Sequence, residues 1–402
     1  MKRILTIILL CFCAVAVIAD ERIWVNARIN GTPVRLFLDT GASFSVALFS
    51  TTVKRLGLKY TPPDRQSTPG QTAVGRTEQC DFDLCDLDMS FEKTNILLSI
   101  PVIEIPESLK WDTDGLIGWP LLRGDLILID AASDKVSLVT EPPDGFRKWE
   151  QFSLDSALNV LALRVPLEKG AEGVVVFDTG SHGGVSLNSS KWHEWKSSHR
   201  NQPSTFECYA TTSIGWMIRE ASWADKLSLG SLMLTHVPVT EADPNAVATG
   251  SLPHAQAHVQ FEALLGLAAL KRLDIFIDGR KGIAYLRPKN TPPTPLEHNR
   301  LGAIFAPQYS QNDDLVAHVV KGSPADKAGI HNGDVLLEIN GRNETTWRTD
   351  TNSPPDFSVV EMPAGTKLQI VLKRGDKTFK TTVVLRNILP PDSTKEKSFW
   401  HR

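Results

Sequence analysis

An apolar run ending in Asp-Thr-Gly occurs twice in this chain, and that repetition limits its possible folds more than any other feature. The first copy reads Val34-Arg35-Leu36-Phe37-Leu38-Asp39-Thr40-Gly41-Ala42-Ser43, and the second reads Val174-Val175-Val176-Phe177-Asp178-Thr179-Gly180-Ser181-His182. Beyond each aspartate the copies align without a gap: Val46 matches Val185, Leu48 matches Leu187 and Ser50 matches Ser189. The likeness resumes downstream. Gly115-Leu116-Ile117-Gly118 and then Asp125-Leu126-Ile127-Leu128-Ile129-Asp130 answer to Leu264-Leu265-Gly266-Leu267 and then Asp274-Ile275-Phe276-Ile277-Asp278. One Asp-Thr-Gly has a bland explanation, because Asp and Gly stabilise the exit from a strand into a turn. Two copies, each opening and closing a similar segment, describe one structural unit used twice.

Short strands dominate the pattern around both copies. Residues 23–29 read as a strand, Asn30-Gly31 as a hairpin turn and residues 34–38 as the partner strand. Ser50 is placed to cap a short helix ending at Gly57. Leu227-Ser228-Leu229-Gly230-Ser231-Leu232-Met233-Leu234 alternates as two strands about a glycine.

The chain's 402 residues suffice for two or three domains. A net charge of −3 gives no electrostatic case for nucleic acid. His193, His199, His236, His254 and His258 show no metal-ligand spacing, so neither a metal nor another cofactor is expected. Trp111, Trp119, Trp192, Trp195 and Trp216 could line a cleft, although aromatic residues of this kind more often belong to the core. Lys2-Arg3 precede an uncharged, mostly apolar run over residues 4–19, shorter than the roughly 20 residues of a membrane span. Small residues at Ala14, Ala16 and Ala19 supply cleavage patterns, so the segment reads as a secretory signal peptide. The expectation is an exported protein, periplasmic or extracellular, membrane-associated only if that segment is uncleaved or lipidated. Past it, Cys80, Cys85 and Cys208 make an odd number of thiols.

Two carboxylates held about 3 Å apart cannot both ionise, so Asp39 and Asp178, brought together, would share one proton. The charged member can take a proton from water while its protonated partner polarises a carbonyl. Gly41 and Gly180 let the two backbones approach closely. Ser181 can donate a hydroxyl hydrogen bond to Asp178 and Ala42 cannot do so for Asp39, which predicts a pair less acid-shifted than one with a hydroxyl on both sides. His182 either faces solvent or perturbs the pair. Both halves resemble lobes of retropepsin-like aspartic proteases, in which each lobe gives one Asp-Thr-Gly turn and one apolar-apolar-Gly strand beneath it. That resemblance implies that Thr40 and Thr179 hydrogen-bond across the two loops and keep the carboxylates coplanar. It also places a flap over residues 67–75 in the first lobe and near Thr211 to Trp216 in the second.

After Thr291-Pro292-Pro293-Thr294-Pro295, a stiff linker, the composition changes. Leu301-Gly302-Ala303-Ile304-Phe305, Gly322-Ser323-Pro324-Ala325-Asp326-Lys327-Ala328-Gly329-Ile330 and Gly333-Asp334-Val335 resemble a PDZ domain of the kind attached to bacterial exported proteases. The resemblance implies that Leu301, Gly302, Ala303 and Ile304 point backbone N–H groups at a peptide C-terminus, and that the following strand adds the peptide to its sheet.

The sequence therefore predicts a mainly β protein: two pseudo-symmetric acid-protease-like β lobes followed by a PDZ α+β domain. The divisions are 1–19 signal peptide, 20–145 first lobe, 146–288 second lobe, 289–299 linker, 300–388 PDZ domain and 389–402 a disordered tail. The function expected is an aspartic endopeptidase acting on polypeptides through Asp39 and Asp178, supported by Thr40, Gly41, Ala42, Thr179, Gly180 and Ser181. Two alternatives stand beside it: a catalytically inactive peptide-binding envelope protein, or a protease active only as a homodimer.

Overall fold

The computed structural model describes residues 22–62, 74–84, 93–103, 113–167, 170–211, 215–242, 261–289, 297–307, 314–345 and 357–389. The segments 1–21, with the expected signal peptide, and 63–73, with most of the expected first flap, lie outside the described residues.

In the first lobe, β1 (Trp24–Ile29) alternates buried and exposed side chains, so one face enters the core. Asn30 and Gly31 both take positive φ, the two-residue turn that matches strand twist, and β2 (Thr32–Asp39) returns beside β1. There follow β3 (Val46–Phe49), helix α1 (Ser50–Arg55), β4 (Tyr60–Thr61), β5 (Val74–Leu84), β6 (Lys93–Ile103) and β7 (Gly115–Gly118). Strand β1 pairs with both β2 and β5, which closes the sheet into a barrel over the order β1-β2-β7-β3-β6-β5. Ser50 is not a cap. It is the first helical residue and is buried, Phe49 holds the cap position, and Gly57 at φ +62° follows the last turn.

Next come α2 (Trp119–Leu122), β8 (Leu126–Asp130) and β9 (Lys135–Leu138). The second lobe then contributes β10 (Glu150–Leu154), β11 (Ala162–Pro166), β12 (Glu172–Phe177), β13 (Val185–Leu187) and α3 (Ser189–Ser198). It continues through β14 (Ser204–Thr211), β15 (Gly215–Leu229), β16 (Leu232–Glu241), β17 (Ala263–Leu265), α4 (Leu267–Leu270), β18 (Leu273–Asp278) and β19 (Ile283–Pro288). Gly230, at φ +62°, turns β15 into β16 and lies so close to the Pro166 carbonyl that a side chain there would collide with it.

One connection departs from the division at residue 145. Strands β8 and β9 leave the first barrel and join the second lobe's sheet, β8 pairing antiparallel with β18 from Leu126↔Asp278 to Ile129↔Ile275. Strands β8 and β18 are the repeated Asp-apolar segments, so each copy of the repeat pairs with the other along one sheet. Their inward residues Ile127, Ile129, Ile275 and Ile277 are almost wholly buried and belong to one core shared by both lobes. Trp119, Trp192 and Trp195 are core residues. Cys80 and Cys208 are free thiols, and Cys85 lies outside the described residues.

The C-terminal module is a sheet ordered β20 (Ala303–Pro307), β21 (Leu315–Val319), β22 (Val335–Ile339), β24 (Lys367–Arg374) and β25 (Lys377–Val384), with β23 (Arg342–Asn343) beside β22. Ser323 caps α5 (Pro324–Lys327) through the Asp326 N–H, with Pro324 at the first helical position. Asp334 explains the Gly-Asp-Val string: its buried carboxylate takes Arg374 Nε at 2.6 Å and Nη2 at 2.7 Å. The stretch read as linker and the stretch read as tail both contribute to packing. His298, Asn299 and Leu389 are buried, Leu389 against Ala221 and Trp223 of β15.

Candidate active site

Each Asp-Thr-Gly sits where a strand of one lobe runs out against its counterpart in the other. In the first lobe β7 runs parallel to β2 and antiparallel to β3, from Leu36↔Gly115 to Asp39↔Gly118 on one side and Val46↔Ile117 on the other. In the second, β17 stands in the same way between β12 and β13. The loop after each aspartate folds over a glycine. Gly118 lies under the Phe44 and Ala42 carbonyls, and Gly266 under those of Gly183 and Ser181, leaving no room for a β-carbon at either position. Matching hydrogen bonds hold both loops down, Gly118 N–H to Ser45 O at 3.1 Å and Gly266 N–H to Gly184 O at 2.8 Å.

The threonines join the loops reciprocally. Thr40 N–H donates to Thr179 Oγ1 and Thr179 N–H to Thr40 Oγ1, each at 3.1 Å. Thr40 Oγ1 donates onward to Phe177 O at 2.6 Å, and Thr179 Oγ1 to Leu38 O at 2.8 Å. Both threonines are buried, so all four hydroxyl roles are met by protein groups in a site of low polarity. Leu161 N–H donates to Thr40 O at 2.9 Å, a backbone tie from the second lobe to the first loop with no side-chain signal in the sequence.

This frame aims Asp39 and Asp178 at each other, and their carboxyls share a hydrogen bond. The two glycines make the approach possible. A β-carbon on Gly41 would stand 2.6 Å from Asp178 Cγ, and one on Gly180 would stand 2.5 Å from Asp39 Cγ. Each carboxyl thus fills the space where the opposite glycine has no side chain. Burial, the negative charge of Asp178 and their shared hydrogen bond together hold the Asp39 proton well above the ordinary carboxylate range. Burial raises Asp178 as well, against the hydrogen bonds that it accepts from Asp39 and from the backbone of Gly180 and Ser181. The titration belongs to the pair and not to either carboxyl alone.

The support from the backbone is nearly symmetric. Gly180 N–H donates to Asp178 Oδ1 at 2.9 Å, and the backbone amides of Gly41 and Ala42 offset the rise at Asp39 as those of Gly180 and Ser181 do at Asp178. In matching turns, Ala42 N–H donates to the Asp39 main-chain carbonyl at 3.1 Å and Ser181 N–H to that of Asp178 at 3.2 Å. His182 is half-buried one residue further on.

Residues 25–121 match the family described as aspartyl protease, and residues 315–352 match the family described as PDZ domain. The chain joins an aspartyl protease domain to a PDZ domain. No curated protein matches it. The protease family match spans the first lobe as far as α2, and the second Asp-Thr-Gly completes the geometry from beyond it. Among the described residues no cluster of His, Cys, Asp or Glu is arranged to hold a metal.

In the PDZ domain, the four residues expected to receive a peptide end are all buried. The N–H groups of Leu301 and Gly302 are directed inward to the side chain of Asn299, a residue that the sequence reading left in the linker. A polar residue beside a proline-rich stretch has no local signal for such a role, since its partners are distant in sequence.

Proposed function

We propose that this protein is an aspartic endopeptidase in which Asp39 and Asp178 of one chain cut polypeptides by general acid–base catalysis. The observation that carries the reading is the mutual approach of the two carboxyls over Gly41 and Gly180. A water held between them loses a proton to the ionised carboxylate as its oxygen attacks the scissile carbonyl. The protonated partner donates to the carbonyl oxygen, and the proton then held by the pair passes to the leaving nitrogen as the C–N bond breaks. The reciprocal threonine bonds keep both carboxyls in position throughout, so little reorganisation accompanies the reaction. The substrates are extended or unfolded polypeptides, and the place of action is outside the cytoplasm, the reading of the N-terminal 19 residues.

Cleavage of an unfolded protein followed across about pH 3 to 8, with and without pepstatin, tests this reading. The expected result is a bell-shaped profile with its maximum above about pH 3, abolished by the inhibitor. A purified, folded chain that leaves the substrate intact at every pH would overturn it.

A further inference from the structure

The edge of the PDZ sheet and the β14–β15 hairpin of the second lobe meet at one buried amide. Asn299 is 3% exposed and makes four side-chain hydrogen bonds. Its Oδ1 accepts the N–H groups of Leu301 and Gly302, each at 3.0 Å. Its Nδ2 donates to Ala303 O at 2.9 Å and, across the domain boundary, to Phe206 O of β14 at 3.0 Å. The Asn299 carbonyl in turn accepts Thr205 Oγ1 at 2.7 Å. Two successive N–H groups, the second from a glycine at φ +68°, converge on one oxygen, an arrangement that can also receive an anion. A neutral amide oxygen sits where a carboxylate would bind more strongly.

The surroundings fit an extended peptide end. Strand β20 is the last in its sheet and packs beside β14 and β15, so no additional strand fits at that edge while the hairpin lies against it. The apolar seal is formed by Ala221, Trp223, Ile388 and Leu389, with the N–H groups of Ile388 and Leu389 both donating to His298 Nε2 at 3.0 Å. Residues 212–214, between β14 and β15 in the second expected flap, lie outside the described residues.

We propose that Asn299 is an internal stand-in for a peptide C-terminus: it closes the carboxylate nest of Leu301 and Gly302 and fastens the PDZ domain to hairpin β14–β15. A peptide with a free C-terminal carboxylate and an apolar last residue binds by displacing Asn299, and its binding frees the hairpin. Both ligands of the nest compete for the same two N–H groups, so affinity for the peptide falls by the fraction of molecules in which the nest is open. By reciprocity, peptide binding loosens the hairpin as much as the hairpin weakens peptide binding.

The two sides of the amide can be separated by substitution. Asn299→Ala empties the nest. Asn299→Asp keeps an acceptor for Leu301 and Gly302 but turns a second carboxylate oxygen toward the Ala303 and Phe206 carbonyls, which breaks the tie to β14. The test uses the full chain carrying Asp39→Asn, so that the probe is not cut and the outcome does not depend on proteolysis. The probe is a fluorescent decapeptide ending in valine, compared with its C-terminal amide, and hydrogen exchange is followed over residues 204–223. The expected results are binding at least about tenfold tighter to the Asn299→Ala chain than to its parent, and none for the amide. Peptide should speed exchange at β14 and β15 in the parent, and Asn299→Asp should speed it without peptide and without a gain in affinity. Equal affinity for parent and Asn299→Ala, or unchanged hairpin exchange at saturating peptide, overturns the proposal. Absence of peptide binding to every folded variant overturns it equally.

Discussion

At the scale of single residues, the site depends on what is missing from Gly41 and Gly180. A methyl group on either must displace the carboxyl of the opposite aspartate. Gly41→Ala is therefore expected to cost about 1–3 kcal/mol of stability and to abolish cleavage, read by urea denaturation and peptide turnover on the same preparation. Thr40→Ala strands the Thr179 N–H and the Phe177 carbonyl, about 1–3 kcal/mol for each group left without a partner. The aspartates act on stability in the opposite direction. Both titrate above the ordinary carboxylate range in the folded chain, so the folded state keeps a proton that the unfolded chain has released. Their contribution is present below the unfolded carboxylate range and is lost as pH rises through the folded-state values. Asp39→Asn, which removes the shared titration, should raise the melting temperature at neutral pH and lose that advantage as the pH falls toward 4. A variant that melts with the wild type at every pH would contradict this account of the pair.

Among the elements, the strands entering each Asp-Thr-Gly were legible because their signals are local: a short apolar run, a turn chemistry, and a glycine wherever two backbones cross. The Asn30-Gly31 hairpin was legible for the same reason. Ser50 misled because a serine before a helical pattern reads as a cap, whereas tertiary packing buried it inside the first turn. The destination of β8 and β9 was not legible, since a strand's sequence carries its periodicity but not the identity of a partner about 150 residues away. That pairing has a measurable consequence. Ile127 on β8 is almost wholly buried in the core common to both lobes. Ile127→Ala is expected to destabilise by about 2–5 kcal/mol and to leave one cooperative transition, with probes in both lobes melting together. Two separate transitions would show that the lobes unfold independently.

For the whole molecule, the sequence pattern distinguished the protease lobes from the PDZ domain, because the composition changes after a proline-rich stretch. It did not show that the two are built into each other. His298 and Asn299 look like the end of a linker, yet both are buried: His298 Nε2 accepts the Ile388 and Leu389 N–H groups at 3.0 Å, and Asn299 Nδ2 donates both to Phe206 O of β14 and to Ala303 O of the PDZ sheet. Truncation after Pro288 would uncover Ala221 and Trp223, and is expected to lower the melting temperature of the remaining lobes rather than leave it unchanged.

The central claim is that the catalytic pair forms within one chain, one aspartate from each lobe. The most direct test is the turnover of an unfolded polypeptide by wild type, Asp39→Asn and Asp178→Asn at the wild-type optimum, at concentrations low enough for the wild type to sediment as a monomer. Active monomeric wild type and a loss of at least about 10²–10⁴-fold in each variant are the results predicted here. Full activity in Asp178→Asn with loss only in Asp39→Asn would contradict it, and would place the pair between first lobes of two chains.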